Sequence, residues 1–98
     1  MKFLGLEKSP KPEKKWRASF ETDSGRVKHT DFGDSSMEDL TQHHDEARAE
    51  RYRSRHRKDL ETHDPTRPGY LSYYVLWSHP SLRKGLEEYR RRFFSEAK

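Results

Sequence analysis

The chain has 98 residues, of which 29% are hydrophobic and 39% are charged, and it carries 21 Lys and Arg against 17 Asp and Glu for a net charge of +4. This length allows one small domain with a modest core, which argues against a two-domain enzyme with a deep, dry cleft. The aromatic content of 12% also argues against a disordered chain, because disordered chains are poor in aromatic residues.

Residues 1–15 are predicted to form an extended arm without a core of its own. Pro10 and Pro12 interrupt regular structure, and lysines flank them. One interpretation is a loosely attached, disordered terminus. The other is a segment that lies along a partner. In that case its partner-binding residues are Phe3, Leu4, Leu6, Lys11, Lys14 and Lys15.

Residues 16–33 are predicted to form a two-stranded antiparallel hairpin. Apolar and polar residues alternate from Trp16 to Glu21, which is the pattern of a half-buried strand. Gly25 suits the turn because it can adopt positive φ, and residues 26–32 form the return strand. Two strands alone are not stable in water, so a helix or another chain must cover the Trp16 face.

A basic helix is predicted over residues 45–60, with a thin apolar stripe. Between residues 47 and 58, six cations accompany the single acid Glu50. We expect their spacing to spread the arginines around most of the helix, which argues against a helix that reads bases. Three interpretations stay open: a solvated face paired with nearby acids, a contact with an acidic protein surface, or a contact with nucleic-acid phosphates. The candidate partner-binding residues of this helix are Arg48, Arg51 and Arg55.

Two further helices are predicted after a loop that contains two prolines and a glycine, at residues 62–69. Residues 70–77 are apolar on every face, so periodicity cannot distinguish helix from strand; we favour a short buried helix because another helix follows at once. The aromatic residues of this segment suit a core better than a stacking platform for bases. The last helix carries Arg91, a further candidate partner contact, and its apolar stripe is Leu82, Leu86, Tyr89 and Phe93.

Together these elements predict an α+β fold: a two-stranded antiparallel hairpin followed by three helices, with an extended N-terminal arm. The arm is residues 1–15, and residues 16–98 form a single small domain. The predicted core comprises Trp16, Phe20, Val27, Phe32, Tyr52, Leu71, Tyr74, Leu76, Trp77, Leu82, Leu86, Tyr89 and Phe93.

No pattern in the sequence predicts catalysis, a metal site or a cofactor. None of the six histidines forms the H-x-x-x-H pair that places two imidazoles on one helical face, and there is no cysteine. Two fragments that mimic kinase motifs, at residues 31–33 and 56–59, occur in the wrong order in a chain that is too short. We therefore expect a protein that is not an enzyme. No run approaches 18 apolar residues, so we also expect no membrane span.

Several sequence patterns resemble a family of small basic proteins encoded by large DNA viruses of algae and other protists. The resemblance covers roughly residues 16–93 and leaves the arm outside. Its motifs are structural rather than catalytic, and the family looks like a domain of unknown function, so no active site is implied. The matching patterns are Phe32-Gly33, residues 50–56, Asp64-Pro65, residues 69–77, Pro80-Ser81-Leu82 and residues 89–93.

The resemblance implies a virion or infected-cell context, with assembly in the host cytoplasm or nucleus. We expect a non-enzymatic structural protein of the particle, either a minor capsid protein or an internal virion protein. Its partners would be viral structural proteins such as the major capsid protein, within a larger assembly. The alternative is a sequence-independent nucleic-acid-binding module that uses the Arg-rich helix 45–60. A third class, an inhibitor or adaptor of a host protein, also stays open.

Overall fold

A computed structural model describes residues 1–94 and contains one three-stranded antiparallel sheet followed by a helical layer. The strands lie in the order β1-β2-β3. They are β1 (Lys2–Lys8), β2 (Lys14–Glu21) and β3 (Val27–Asp34). The helices are α1 (Leu40–His43), α2 (Glu46–His56), α3 (Pro68–Leu71) and α4 (Leu82–Phe94). A 3-10 turn (Arg57–Thr62) follows α2, and a π-helical turn (Ser72–Leu76) follows α3.

The predicted two-stranded hairpin with an extended arm and three helices is wrong, because the N-terminal segment is a third strand and four α-helices follow the sheet. β1 pairs with β2 so that Phe3 lies opposite Phe20 and Leu6 opposite Ala18. The pairing register shifts between Phe3 and Gly5. This irregularity breaks the alternation by which a strand is recognised in a sequence. The two prolines lie in the connection between β1 and β2, where they interrupt no pairing.

The sheet buries one face and exposes the other. Ala18, Phe20, Thr30 and Phe32 are buried on the inner face. Polar pairs join neighbouring strands on the outer face. The strongest is formed by Arg17, whose Nε and Nη2 donate to the two carboxylate oxygens of Asp31 at 2.9 and 3.1 Å. The guanidinium of Arg17 lowers the pKa of Asp31.

Helix α4 and the π-helical turn cover the inner face of the sheet. Tyr89 is fully buried and meets Phe3 edge to face, and its hydroxyl donates to the carbonyl of Pro65. The predicted core residues are buried or pack against the buried cluster, apart from Val27. The assignment of Val27 to the core is wrong: its side chain is 57% exposed. It pairs with Glu21 in the same register as Ser19 with His29 and Arg17 with Asp31, so its side chain lies on the outer face of the sheet, which the helical layer does not cover.

The short α1 turn fixes where α2 begins. Asp39 caps α1: its side chain accepts from the Thr41 amide, and Gln42 accepts from the Asp39 amide in return. His44 then adopts a left-handed conformation and ends α1, and Asp45 caps α2 by accepting from the amide of Arg48. These caps explain why the basic segment starts a separate helix. Within residues 1–94, no helix has the length and apolar character to cross a bilayer.

Candidate functional site

The structure separates the predicted partner-binding residues into two groups, and four of them do not gather at one place. Phe3 and Leu6 pack against the core. Leu4, in contrast, is 51% exposed on the edge strand β1. Arg91 lies on α4, where its Nη2 donates to Glu88 at 2.6 Å. These four residues offer no common surface.

Four residues of the second group line two adjoining cavities, which we call the basic cleft, and the other two, Arg48 and Arg51, lie on α2 outside the linings. The α2 cavity has a volume of about 390 Å³, and the lysine cavity has a volume of about 540 Å³. Lys15 and Asp39 line both cavities. Arg55 lines only the α2 cavity, and Lys11 and Lys14 line the lysine cavity. The fold therefore brings the start of β2 next to α2 at the first cavity and the β1–β2 connection next to α1 at the second.

Three arginines of α2 form a stripe along one side of this helix, which we call the arginine stripe. Arg48, Arg51 and Arg55 are spaced by three and four residues, so they lie on the same helical face. None of the three has an ion-pair partner among residues 1–94. Arg53 differs from them because it donates to Glu46 at 2.7 Å and to the Trp77 carbonyl at 2.5 Å. Arg53 thus holds α2 in place, and the stripe keeps its charge available.

An aromatic stack forms the inner wall of the α2 cavity. The ring of Tyr52 lies between Trp77, 4.1 Å away at 9°, and His56, 4.1 Å away at 24°. Burial raises the pKa of Tyr52. Trp77 also lies near the ring of His43, and the two ring centroids are 5.4 Å apart. The stack therefore covers both faces of the Tyr52 ring inside the chain.

A buried ion pair separates the two cavities. Lys15 Nζ donates to Asp39 at 2.7 Å and to Gln42 at 2.5 Å. The side chains of Lys15 and Asp39 are only 14% and 3% exposed. Because Asp39 also caps α1, this contact connects β2 to α1. Lys15 thus has a structural role, and the charge available at the α2 cavity is that of Arg55.

Two residues of the α2 cavity, Gly33 and Met37, were not among the partner-binding residues predicted from the sequence. Gly33 has φ +85°, and a Cβ there would lie 3.0 Å from Leu76 and 3.2 Å from the Lys15 Cβ. Without a side chain, Gly33 allows β3 to lie close to Leu76 and Lys15, which also line the cavity. Met37 lines the same cavity and is 42% exposed. The only sequence signal for Met37 is one apolar residue within a polar loop.

The lining of the α2 cavity combines apolar surface with charges of both signs. Asp34 also lines the α2 cavity, but its carboxylate accepts from the amide and hydroxyl of Ser36 at 2.9 and 2.7 Å. These bonds, first that of the hydroxyl, lower the pKa of Asp34. Over residues 1–94, no three His, Cys, Asp or Glu side chains lie close enough to hold a metal ion.

Comparison with known proteins identifies one family. A family model described as a family of unknown function (DUF5754) matches residues 4–56, which is more than half of the chain. The match begins inside β1 and ends at His56, the last residue of α2, so it includes the arginine stripe. No curated protein and no solved structure matches the chain. On the extent of the family match, the chain belongs to the family DUF5754.

Proposed function

We propose that this protein is a non-enzymatic structural component of a large DNA virus particle, a minor capsid or internal virion protein. It binds acidic surfaces of other structural proteins, such as the major capsid protein. The arginine stripe carries this proposal, because its three charges have no ion-pair partner within the part of the chain that the structure describes. The particle context rests on the sequence resemblance of residues 16–93.

Arginine side chains in this arrangement match a row of carboxylates. Arg51 and Arg55 are exposed and Arg48 is half-buried. The stripe spans about 10 Å, because seven residues of α-helix rise by roughly 1.5 Å each. That length is close to the Debye length of about 8 Å at physiological salt, so the three charges act together on a nearby anionic surface. Guanidinium groups also bind carboxylates through two parallel hydrogen bonds, which makes arginine better suited than lysine to such a contact.

Nucleic-acid binding is the second candidate, and the same stripe supports it. Three arginines along one edge of a helix suit backbone phosphates, and Lys11 and Lys14 extend the positive surface into the lysine cavity. Such binding would be independent of sequence and strongly dependent on salt. The slope of log Kobs against log[salt] is negative, and each lost phosphate contact reduces its magnitude by roughly 0.9, so removing the three arginines of the stripe reduces it by about 2.7.

Particle incorporation tests the proposal most directly. Tagged protein is expressed during infection, particles are purified, and the protein is quantified by mass spectrometry. Two variants lose the same charge: the stripe variant loses three cations of α2, and the control variant loses three exposed cations elsewhere. We expect the stripe variant to fall at least tenfold in the particles while the control stays at the wild-type level. The stripe variant carries Arg48→Gln, Arg51→Gln and Arg55→Gln; the control carries Arg26→Gln, Arg83→Gln and Lys84→Gln.

Three outcomes would count against the proposal. Absence of the wild-type protein from purified particles would refute its assignment as a component of the particle. Equal incorporation of the stripe variant and the wild type would remove the role of the stripe. Two results together would favour nucleic-acid binding instead. Nuclease treatment would release the protein from disrupted particles, and DNA binding by the stripe variant would depend less steeply on salt than binding by the wild type.

A further inference from the structure

We propose that the α2 cavity is an anchor site for one apolar side chain of an acidic peptide segment, whose neighbouring carboxylates contact Arg55 and Arg51. This inference rests on the proposed function and adds the chemistry of the segment that is recognised. It divides recognition between a charged stripe and an apolar cavity, which meet at Arg55.

The cavity has the size and walls of a side-chain pocket. Its volume of about 390 Å³ falls in the range of roughly 300–1,000 Å³ that is typical of sites for small ligands. Tyr52, Leu76 and Trp77 form its apolar walls. Met37 lines it and is 42% exposed, so an incoming side chain would cover apolar surface that is now in contact with water. The thioether of methionine is flexible and adapts to side chains of different shape.

The arrangement of the aromatic rings favours a side chain over a nucleic-acid base. A base stacks on the open face of an aromatic ring. In this cavity Tyr52 has Trp77 on one face and His56 on the other, at 4.1 Å each. Neither face of the Tyr52 ring is therefore free for a base, and Leu76 and Met37 add aliphatic atoms to the lining. Such surface is complementary to an aliphatic or aromatic side chain.

The two unpaired arginines on one side of the cavity favour acidic flanking residues. Lys15 is paired with Asp39 at 2.7 Å, and His56 lies 3.1 Å from Asp59, so neither offers an unpaired charge. The carboxylate of Asp34 accepts two hydrogen bonds from Ser36 and keeps its negative charge, so the acidic residues of the segment must lie toward Arg55 and Arg51. Arg55 is exposed, and no carboxylate of residues 1–94 pairs with it. Arg51 lies four residues earlier on the same helical face.

A pair of synthetic peptides tests the inference. Both consist of Asp and Glu residues with a fluorophore at one end; the first has a central Phe and the second a central Ser. Binding to the full chain is measured by fluorescence anisotropy at low salt. We expect the Phe peptide to bind at least tenfold more tightly than the Ser peptide. The ratio of the two affinities measures the contribution of the apolar side chain to binding.

Three variants separate the anchor from the charge. Met37→Ser removes exposed apolar surface from the cavity, so we expect the ratio between the two peptides to fall at least threefold. Arg55→Gln should lower the affinity for both peptides severalfold and leave the ratio of the two affinities within twofold of the wild-type ratio. Arg57→Gln is the matched control, because it removes the same charge from the exposed 3-10 turn outside the cavity. We expect it to have less than half the effect of Arg55→Gln on the logarithm of the affinity.

The possible failures of the two proposals give different results. If the two peptides bind with equal affinity and Arg55→Gln weakens the binding of both, the anchor site is refuted. The proposed binding of acidic protein surfaces is then still supported. If neither peptide binds, both proposals fail. If a single-stranded oligonucleotide binds more tightly than the Phe peptide and displaces it, the cleft is a nucleic-acid site and the anchor is refuted. A Phe preference that Met37→Ser leaves unchanged would place the apolar contact elsewhere and also refute it.

Discussion

Gly85 of α4 lies against the backbone of the π-helical turn, and its replacement by alanine is expected to destabilise the fold. A Cβ atom at residue 85 would lie 2.7 Å from the carbonyl oxygen of Val75 and 3.3 Å from that of Tyr74. Both contacts are with backbone atoms, which cannot rotate away as the end of a side chain can. Either α4 or the turn must therefore move, and the contacts of Tyr89 with the core are loosened.

Two opposite effects set the magnitude of the Gly85→Ala change. Alanine is favoured over glycine in a helix by about 1 kcal/mol. Overpacking in a core typically costs about 1–3 kcal/mol, and a contact with rigid backbone belongs to the upper part of that range. We therefore expect the free energy of unfolding to fall by about 1–2 kcal/mol. In a domain of this size, that corresponds to a Tm lower by roughly 4–15 °C.

Thermal and urea unfolding followed by circular dichroism measures this change. Ser54→Ala is the matched control, because Ser54 is an exposed interior residue of α2. There alanine gains about 0.5 kcal/mol of helix propensity and meets no close contact, so the Tm should stay the same or rise slightly. A Gly85→Ala protein that melts at or above the wild-type Tm would refute the close packing of α4 on the π-helical turn.

Three further changes test other parts of the structure. Tyr89→Phe leaves the Pro65 carbonyl without its donor, so the free energy of unfolding in urea should fall by about 1–3 kcal/mol. Asp39→Ala removes the cap of α1 and the partner of Lys15, and it should cost about 1–3 kcal/mol in the same titration. Stability should also decrease in acid through Asp31, whose pKa is lowered in the folded state by the guanidinium opposite it. A lowered pKa stabilises the fold above the unfolded value of about 3.9, and this stabilisation is lost as the pH falls from there through the folded pKa.

Each of these changes has a control of its own. Tyr73→Phe alters a half-buried tyrosine and should cost less than Tyr89→Phe; an equal cost would contradict the importance of the Pro65 contact. Asp39→Asn keeps an oxygen that can cap the helix, so its free energy of unfolding should fall by less than that of Asp39→Ala. Urea midpoints measured between about pH 5 and 2 should change less with pH in Asp31→Asn than in the wild type. Identical pH profiles would exclude Asp31 as a source of acid sensitivity.

The strands β2 and β3 and the helix α4 were predictable because their signals are local. Alternation from Trp16 to Phe20 identifies β2, and the turn glycine identifies the return strand. The stripe that begins at Leu82 identifies α4, whose residues 82–94 lie against the π-helical turn. Each pattern involves residues that are neighbours in the chain, so no knowledge of tertiary contacts is needed to recognise them.

β1 and the basic cleft were not predictable, because both depend on contacts between distant residues. The irregular pairing near Gly5 removes the alternation of β1, and its stability comes from pairing with β2 and from the contact of Phe3 with Tyr89. Lys15 and Arg55 line one cavity although 40 positions separate them. The sequence suggested both residues as partner contacts, but it could not show that Lys15 is already neutralised by Asp39.

The unpaired charges of the cleft, rather than the net charge of the chain, decide how it can select a partner. Arg17 and Arg53 have carboxylate partners inside the chain, at 2.9 and 2.7 Å, so they contribute little to an outside contact. The arginine stripe attracts any anionic surface that approaches within about a Debye length, and this attraction weakens with salt. Such attraction cannot distinguish one acidic segment from another. The proposed anchor in the α2 cavity supplies that distinction, because a segment without a suitable apolar side chain leaves the cavity empty. Recognition at the cleft should therefore become more specific as salt rises, even while its affinity falls.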